Sequence, residues 1–454
     1  MKIVVCVKFP GGEINPFDAC ALETALSVED AEIVVLSMSP LSASQELSRL
    51  TRYEKVTRAV LLSDTRFAGA DTLATSYVLS AAIKKLNPDM VFFGSRTVDS
   101  DTAQVPPETA ELLGFSFYPF AMSFSFDGVE TREGLYSLSL PAAISFERIN
   151  VLRFPSLRSK LKPPEIWNAD DIEVDFDRVG QAGSPTRVVK MLRTAGKTRK
   201  CVFIDKSELF PLVEKLRGKK AEASKPAPSA EKVGLAFAIG SGAEKYAEAV
   251  AEKMIGFSSL SAEEAVQAIQ KHSPDAVFWR SAPQFKTEAA RVAALMRLGL
   301  CADCTAVRSE NGRIVVTRPV NGGVDFADIV SLTKPAMATV LCDDGRGGVI
   351  VSAGRGCSNA VAEKLAGRLN AEICCTRPVV DDGRMPYARQ VGLTGKAVSP
   401  DIYLAVGVSG AVQHTCAMEN SGAVVAVNPD RGARIFDYAD YGVICTAEEL
   451  SALI

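Results

Sequence analysis

Residues 82–95 read AIKKLNPDMVFFGS and residues 268–281 read AIQKHSPDAVFWRS. A stretch written twice at this separation makes the chain a duplication of one supersecondary unit. Each copy gives a helix end, an Asn/Ser-Pro-Asp turn, a short apolar strand and a loop. Each then re-enters a helix, ETAELLG at 108–114 and EAARVAALMRLG at 288–299. That order predicts two related α/β domains with parallel sheets. The loops after the duplicated strand differ. The first continues Gly94, Ser95, Arg96, Thr97, Val98, Asp99, Ser100, Asp101, Thr102, all but Val98 small or hydrogen-bonding; the second has Arg280 in place of Gly94 and bulky Phe285 in place of Asp99. One ligand-binding copy and one degenerate copy are expected.

The clearest break in the pattern is AEASKPAPSAE at 221–231, where Ala, Ser, Pro and charge replace periodic apolar residues, as in an extended linker. It separates a first domain at 1–220 from a second at 232–344. A third parallel α/β domain at 345–454 follows from five further apolar runs, GVIVSA, AEICCT, DIYLAVGVS, AVVAVN and GVIC. With 47% hydrophobic residues the chain can bury several cores, and a formal charge of −3 without charged blocks signals neither a nucleic-acid nor a membrane surface. The start, MKIVVCVKFPGG, is too short in its apolar run for a signal peptide or membrane span, so a cytoplasmic location is expected. Eleven cysteines include a single CxxC, Cys301 and Cys304, which reads either as a redox dithiol or as two reduced thiols near a strand; no metal site is expected.

In open parallel sheets, ligands bind beyond the carboxyl ends of the strands. In the third domain those ends carry Gly354, Arg355 and Gly356; Thr376 and Arg377; Ser409 and Gly410; and Asn428. Glycine lets backbone approach phosphate, Arg355 can fork onto a diphosphate, and Ser409 with Gly410 stands where a helix start would face an anion. A GxG alone is equally a tight turn, so the set of four strand ends carries the argument for a dinucleotide. The loop at 389–400, RQVGLTGKAVSP, adds Gly392, Thr394, Gly395 and Lys396, hydroxyl and backbone donors of little bulk that can cover a ring system. The chain has two histidines. His272 lies in a helix-to-turn segment, whereas His414 follows Ser409 by one helical turn. Its place makes it either a core residue or a cation facing a cofactor.

The runs GRG, TRPVVDDG, RQVGLTGKAVSPDIYLAVGVSGAVQH, AVNPD and IFDYADYGV closely resemble the FAD domain of the electron-transfer flavoprotein α subunit. The resemblance implies that Arg355 and Asn428 bind the adenine-diphosphate part of FAD and that Thr376, Gln390, Val391, Gly392, Leu393 and Thr394 contact the flavin and its chain. Ser409, Gly410, Ala411, Val412, Gln413 and His414 would follow the ribityl and isoalloxazine. Arg377 would lie over the ring and His414 at its other edge, fixed charges that favour anionic reduced forms. Thr446 stands where the family has an acidic residue on the adenosine ribose.

MKIVVCVK, INPFDACALETAL, VVLSMSP, FAGADTLATSYVLSAAIKKL, GSRTVDSDTAQV and GSPTRVV are similar to the β subunit of the same family. The resemblance implies two adenine-nucleotide-hydrolase-like α/β domains followed by a Rossmann-like FAD domain, the β and α subunits being fused in one chain. It also implies a second nucleotide, FAD or AMP, at Cys6, Asn15, Pro16, Phe17, Asp18, Met38, Gly94, Ser95, Arg96, Thr97, Val98, Asp99, Ser100, Asp101, Thr102, Ala103, Gln104 and Val105. Physical reasoning agrees in part, since a helix opened by Thr102, with Pro106 and Pro107 in its first turn, leaves amides for phosphate. The segment at 150–166, NVLRFPSLRSKLKPPEI, resembles the family's dehydrogenase-docking loop, with Phe154 as the apolar anchor; the alternative reading is a basic interdomain linker.

The expected function is an electron shuttle between a partner flavin dehydrogenase, such as an acyl-CoA dehydrogenase, and another redox partner. No catalytic residues in the strict sense are expected, Arg377 and His414 tuning the flavin. The alternatives are an NADH-oxidising, electron-bifurcating member with two FADs and a nucleotide-binding sensor without redox turnover. A hinge for the FAD domain is expected at 343–348.

Overall fold

The computed structural model describes residues 1–156, 158–193, 199–217, 229, 231–320, 325–342, 348–392 and 395–454. Most of the linker read from the sequence, most of the expected hinge, and Leu393 and Thr394 lie outside the described residues.

Four sheets organise the chain. The first has a parallel centre, in spatial order Ala142–Phe146, Met90–Gly94, Lys2–Cys6, Glu32–Met38 and Val56–Leu62, extended by Ser116–Phe124 and an antiparallel hairpin on one side and by Glu165–Trp167 on the other. The second repeats the arrangement with Ala251–Phe257, Val233–Ile239, Ala276–Arg280, Ala336–Val340 and Leu300–Cys304, all parallel. The duplicated sequence explains itself in this geometry. Asn87 and Ser273 end their helices in the left-handed region, at φ 50° and 48°, and the following aspartates tie the turn to the first strand of each sheet. Asp89 accepts from the Lys2 amide at 2.8 Å, and Asp275 accepts from the Gly234 amide at 3.0 Å.

A second duplicated feature is not visible in the sequence. Phe120 and Asp303 both adopt positive φ, 51° and 53°, at a bulge in the strand beyond the duplicated helix. Each donates its amide to a hydroxyl on the neighbouring strand, Phe120 to Ser145 at 3.0 Å and Asp303 to Thr339 at 2.8 Å. Bulges of this kind re-aim a side chain. Phe120 is turned toward the Arg96 and Arg132 guanidiniums, 5.9 and 5.7 Å from its ring, whereas Asp303 is turned toward Lys286, 2.7 Å away.

The third sheet is antiparallel and shared: Thr186–Arg193 from the first half pairs with Asp325–Ser331, which continues through Arg313–Val320 to Ala306–Glu310. The fourth contains all five strands expected at 345–454, in the order Tyr441–Val443, Ala423–Val427, Ile402–Val406, Val349–Ala353 and Glu372–Cys375, all parallel. A sixth strand, Val202–Phe203, comes from the first half, and the helix Leu209–Leu216 buries Leu209, Phe210, Val213 and Leu216 in the core of that sheet. The first half therefore supplies part of the C-terminal body.

The helix expected to open at Thr102 instead runs over Val105–Leu113. Pro106 and Pro107 have no N–H to donate to the carbonyls of Thr102 and Ala103, so the earliest bond that can close is Glu108 N–H to Gln104 C=O, 3.1 Å. Asp101 and Ala103, at φ 51° and 56°, form a left-handed loop ahead of it.

Candidate functional sites

At the carboxyl edge of the C-terminal sheet the strand ends lie together as expected, but their glycines serve the chain first. A Cβ at Gly354 would meet the Gly407 carbonyl at 2.0 Å, and one at Gly410, at φ +88°, would meet the Ile435 nitrogen at 2.1 Å. Both allow neighbouring strand-end loops to touch. Asn428 ties the same loops, donating to the Val408 carbonyl at 2.9 Å and accepting from the Asp430 amide at 2.9 Å. Arg355, Ser409 and Ala411 are exposed on this edge; Thr376, Gln390, Val391, Gly392, Gly410 and Val412 are buried beneath it, and Gln413 is half-buried. Thr446 caps the last helix: its hydroxyl accepts from the Glu449 amide at 3.1 Å, while Glu449 accepts from the Thr446 amide at 2.8 Å.

His414 is buried. Its Nδ1 faces the Val391 carbonyl at 2.9 Å and so carries the proton, leaving Nε2 to accept from the Tyr403 hydroxyl at 2.9 Å. Burial pushes the imidazole down to about 4, against a smaller upward pull from the Val391 carbonyl. In this packing desolvation outweighs its one favourable contact and favours the neutral form of the ring.

Arg377 opens toward the first half, its guanidinium 5.0 Å from the Phe17 ring, 3.9 Å from Asp101 and 3.6 Å from Asp381. Around it lies a charge cluster absent from the sequence reading. Glu147 accepts from Arg96 at 3.0 Å and faces Arg132 at 3.0 Å, and Arg132 stacks on Tyr387 of the C-terminal body at 3.4 Å. Burial raises the Glu147 carboxyl, but the Arg96 and Arg132 charges outweigh it and hold the group below its ordinary value.

A cavity of about 1130 Å³ opens over the strand ends of the N-terminal sheet. Of the residues assigned to a second nucleotide, Cys6, Asp18, Met38, Gly94, Arg96, Thr97, Ser100, Thr102, Ala103, Gln104 and Val105 line it. Asn15, Pro16, Phe17, Ser95, Val98, Asp99 and Asp101 do not. Asn15 braces the loop, donating to Asp18 at 2.9 Å and to the Arg96 carbonyl at 2.8 Å, and Asp99 is held by Lys8 at 2.6 Å. Phe17 and Asp101 belong to the seam with Arg377. Gly94 is required: a Cβ there would strike Asp18 Oδ1 at 2.2 Å. Burial raises Asp18 to about 7, against hydrogen bonds from Asn15 and the Lys8 and Gly94 amides.

The cavity also takes Val188, Leu300, Cys301, Arg318 and Ile329 from distant parts of the chain. The sole sequence signal for these was an arginine inside the apolar strand IVVTRPV. In the degenerate copy the equivalent space is filled from within. Phe285 packs against Gly240, and Arg280 donates to the Ser241 carbonyl at 2.7 Å. Cys301 and Cys304 are buried free thiols, Cys301 pushed up to about 12 by burial, which leaves them packing residues rather than a reactive dithiol. Among the described residues no group of His, Cys, Asp and Glu could hold a metal ion. In the segment proposed for docking, Phe154 is 98% exposed and Val151 87%.

Parallel sheets with small and cationic residues gathered at strand ends define a class, the α/β proteins that hold ligands at that edge. Comparison with known proteins narrows it. Residues 346–419 match the electron transfer flavoprotein FAD-binding domain, and residues 3–137 and 197–343 each match the electron transfer flavoprotein domain, a double match that agrees with the internal duplication. The chain is 39% identical over 193 residues to the electron transfer flavoprotein subunit beta of Clostridium acetobutylicum, covering 39% of this chain and 74% of that protein. It is 37% identical over 223 residues to protein FixA of Azorhizobium caulinodans, covering 44% and 79%. It is 30% identical over 231 residues to the electron transfer flavoprotein subunit alpha of Bacillus subtilis, covering 41% and 71%. The chain belongs to the electron transfer flavoprotein family and joins a β-like half and an α-like half in one polypeptide.

Proposed function

We propose that this chain carries electrons between a partner flavin dehydrogenase, with the acyl-CoA dehydrogenases as first candidates, and a second redox partner, using FAD held at the carboxyl edge of the C-terminal sheet. The observation that supports it most is the position of Arg377, on that edge and facing the seam with the first half. The donor set fits a dinucleotide: Arg355 is an exposed cation for the diphosphate, Ser409 an exposed hydroxyl, and Asn428 fixes the loops between them. When bound, FAD supplies reversible one- and two-electron chemistry. Arg377 would supply a fixed positive charge to the bound cofactor, and His414 holds the Val391 segment through its hydrogen bond to the Val391 carbonyl. Phe154 anchors the dehydrogenase through a small apolar contact. A cytoplasmic location belongs to the same proposal; among the described residues no helix is long and apolar enough to cross a membrane.

The N-terminal cavity holds a second nucleotide in this reading, FAD rather than AMP. Its volume of about 1130 Å³ exceeds the roughly 300–1,000 Å³ usual for small-molecule sites. Its walls continue past the Gly94 loop onto apolar Val188, Leu300 and Ile329, room suited to a further ring. This same observation favours, as a second reading, an NADH-oxidising bifurcating member. Anaerobic mixing with NADH tests it: bleaching of the flavin absorption supports bifurcation, whereas an unchanged spectrum that a dehydrogenase partner does bleach leaves the simple shuttle. A chain whose flavin resists every reductant would instead be a nucleotide-binding sensor.

A further inference from the structure

The cations on the wall of the N-terminal cavity differ in one respect. Lys8 is balanced by Asp99 at 2.6 Å and Arg96 by Glu147 at 3.0 Å. Arg318 is 9% exposed and has no such partner. Its Nη2 donates to the Ser100 carbonyl at 2.9 Å and its Nε to the Pro319 carbonyl at 3.2 Å, and among the described residues no carboxylate lies within 4 Å of it. Carbonyl dipoles satisfy individual N–H groups but do not cancel a buried unit charge, whose desolvation is costly unless an anion is close. The carboxylates on the cavity wall are committed elsewhere: Asp64 to Arg66, Asp71 to the Ala74 amide and Thr186, and Asp18 to Asn15 and the Lys8 amide.

Arg318 also sits where an anion would be expected. Through Ser100 it grips the loop ahead of the helix Val105–Leu113, and the amides of residues 102–105 donate to no acceptor among the described residues. Its strand, Arg313–Val320, belongs to the second half of the chain, whereas the loop belongs to the first.

We propose that Arg318 is a binding residue for the phosphate of the nucleotide in the N-terminal cavity, so that this ligand is held by both halves of the fused chain at once. The inference rests on the reading of that cavity as a nucleotide site. Arg318 supplies a planar fork of donors to the phosphate from the side opposite the backbone amides. Binding therefore orders the junction between the halves as well as the loop, and a chain lacking this charge keeps the C-terminal FAD while losing the other nucleotide.

The experiment counts nucleotides released by denaturing the purified full chain after incubation with excess FAD and AMP followed by desalting, for wild type, Arg318→Leu and Arg318→Lys. Wild type should release two nucleotides per chain and Arg318→Leu one FAD, with AMP or FAD affinity at the cavity weakened by at least about tenfold. Arg318→Lys, which keeps the charge without the fork, should fall between. Two nucleotides from a folded Arg318→Leu chain would overturn the role of Arg318 alone; a single nucleotide from wild type would overturn the nucleotide-site reading with it. Hydrogen exchange on wild type needs no variant. Adding AMP or FAD should slow exchange across 313–320, and unchanged exchange there with bound nucleotide would overturn the inference.

Discussion

Acid is expected to destabilise the C-terminal body through one side chain. The His414 imidazole donates to the Val391 carbonyl and accepts from the Tyr403 hydroxyl, both at 2.9 Å, and among the described residues no carboxylate forms an ion pair with it. Its folded-state value of about 4 lies below the ordinary histidine value of 6.5. The unfolded chain therefore binds a proton that the folded chain refuses. The stability due to the neutral ring is complete above pH 6.5 and is lost as pH falls from there to about 4, where the loss levels off. The gap between the two values corresponds to about 3 kcal/mol, with a slope close to one proton's 1.36 kcal/mol per pH unit near pH 5. Urea unfolding followed between pH 7 and 4 measures it, with His414→Gln as the reference that cannot titrate. The wild type should lose about 3 kcal/mol more than the variant across this range. With only two histidines, His272 and His414, nuclear magnetic resonance can follow both rings directly. Parallel stability profiles, or a His414 ring titrating at or above 6.5, would refute the reasoning.

Three further outcomes follow from the geometry. Glu147→Gln keeps the shape but leaves Arg96 and Arg132 buried with half their counter-charge, and should cost about 3–5 kcal/mol in urea unfolding; a loss under 1 kcal/mol would show that the cluster contributes little. Phe154→Ala removes a side chain that is 98% exposed, so stability should stay within about 0.5 kcal/mol, while affinity for the dehydrogenase partner in surface-binding measurements falls by roughly thirtyfold; equal affinities would remove the docking role. Gly410→Ala places a Cβ 2.1 Å from the Ile435 nitrogen at φ +88°, and should destabilise the C-terminal body by at least about 1–3 kcal/mol and lower its FAD content, which absorbance of the purified chain reports.

How much of this was readable in the sequence depended on range. The duplicated Pro-Asp turn was readable because its reason is local: a left-handed helix end, then an aspartate reaching the nearest strand. The five C-terminal strands were readable as unbroken apolar runs, since strands buried on both faces need no polar alternation. Val202–Phe203 was not, because two residues carry no pattern and join a sheet formed some two hundred positions later. The helix start was not legible at Thr102, because Pro106 and Pro107 leave the Thr102 and Ala103 carbonyls without intrahelical donors and the first bond closes only at Glu108 to Gln104. At His414 position was legible and burial was not, since its two ring contacts, Val391 and Tyr403, are brought to it only by folding. The same limit hid Arg318 and Val188, which reach the cavity only once the two halves share a sheet.

The central claim, an electron carrier with FAD at the C-terminal sheet edge, is tested most directly by anaerobic mixing of the purified chain with a substrate-reduced acyl-CoA dehydrogenase or related flavin dehydrogenase, followed at the flavin absorption band. The account predicts a flavin-coloured chain whose band bleaches with the dehydrogenase in catalytic amounts and bleaches more slowly in Phe154→Ala. A chain that carries no flavin, or whose flavin no dehydrogenase of this class reduces, would contradict it.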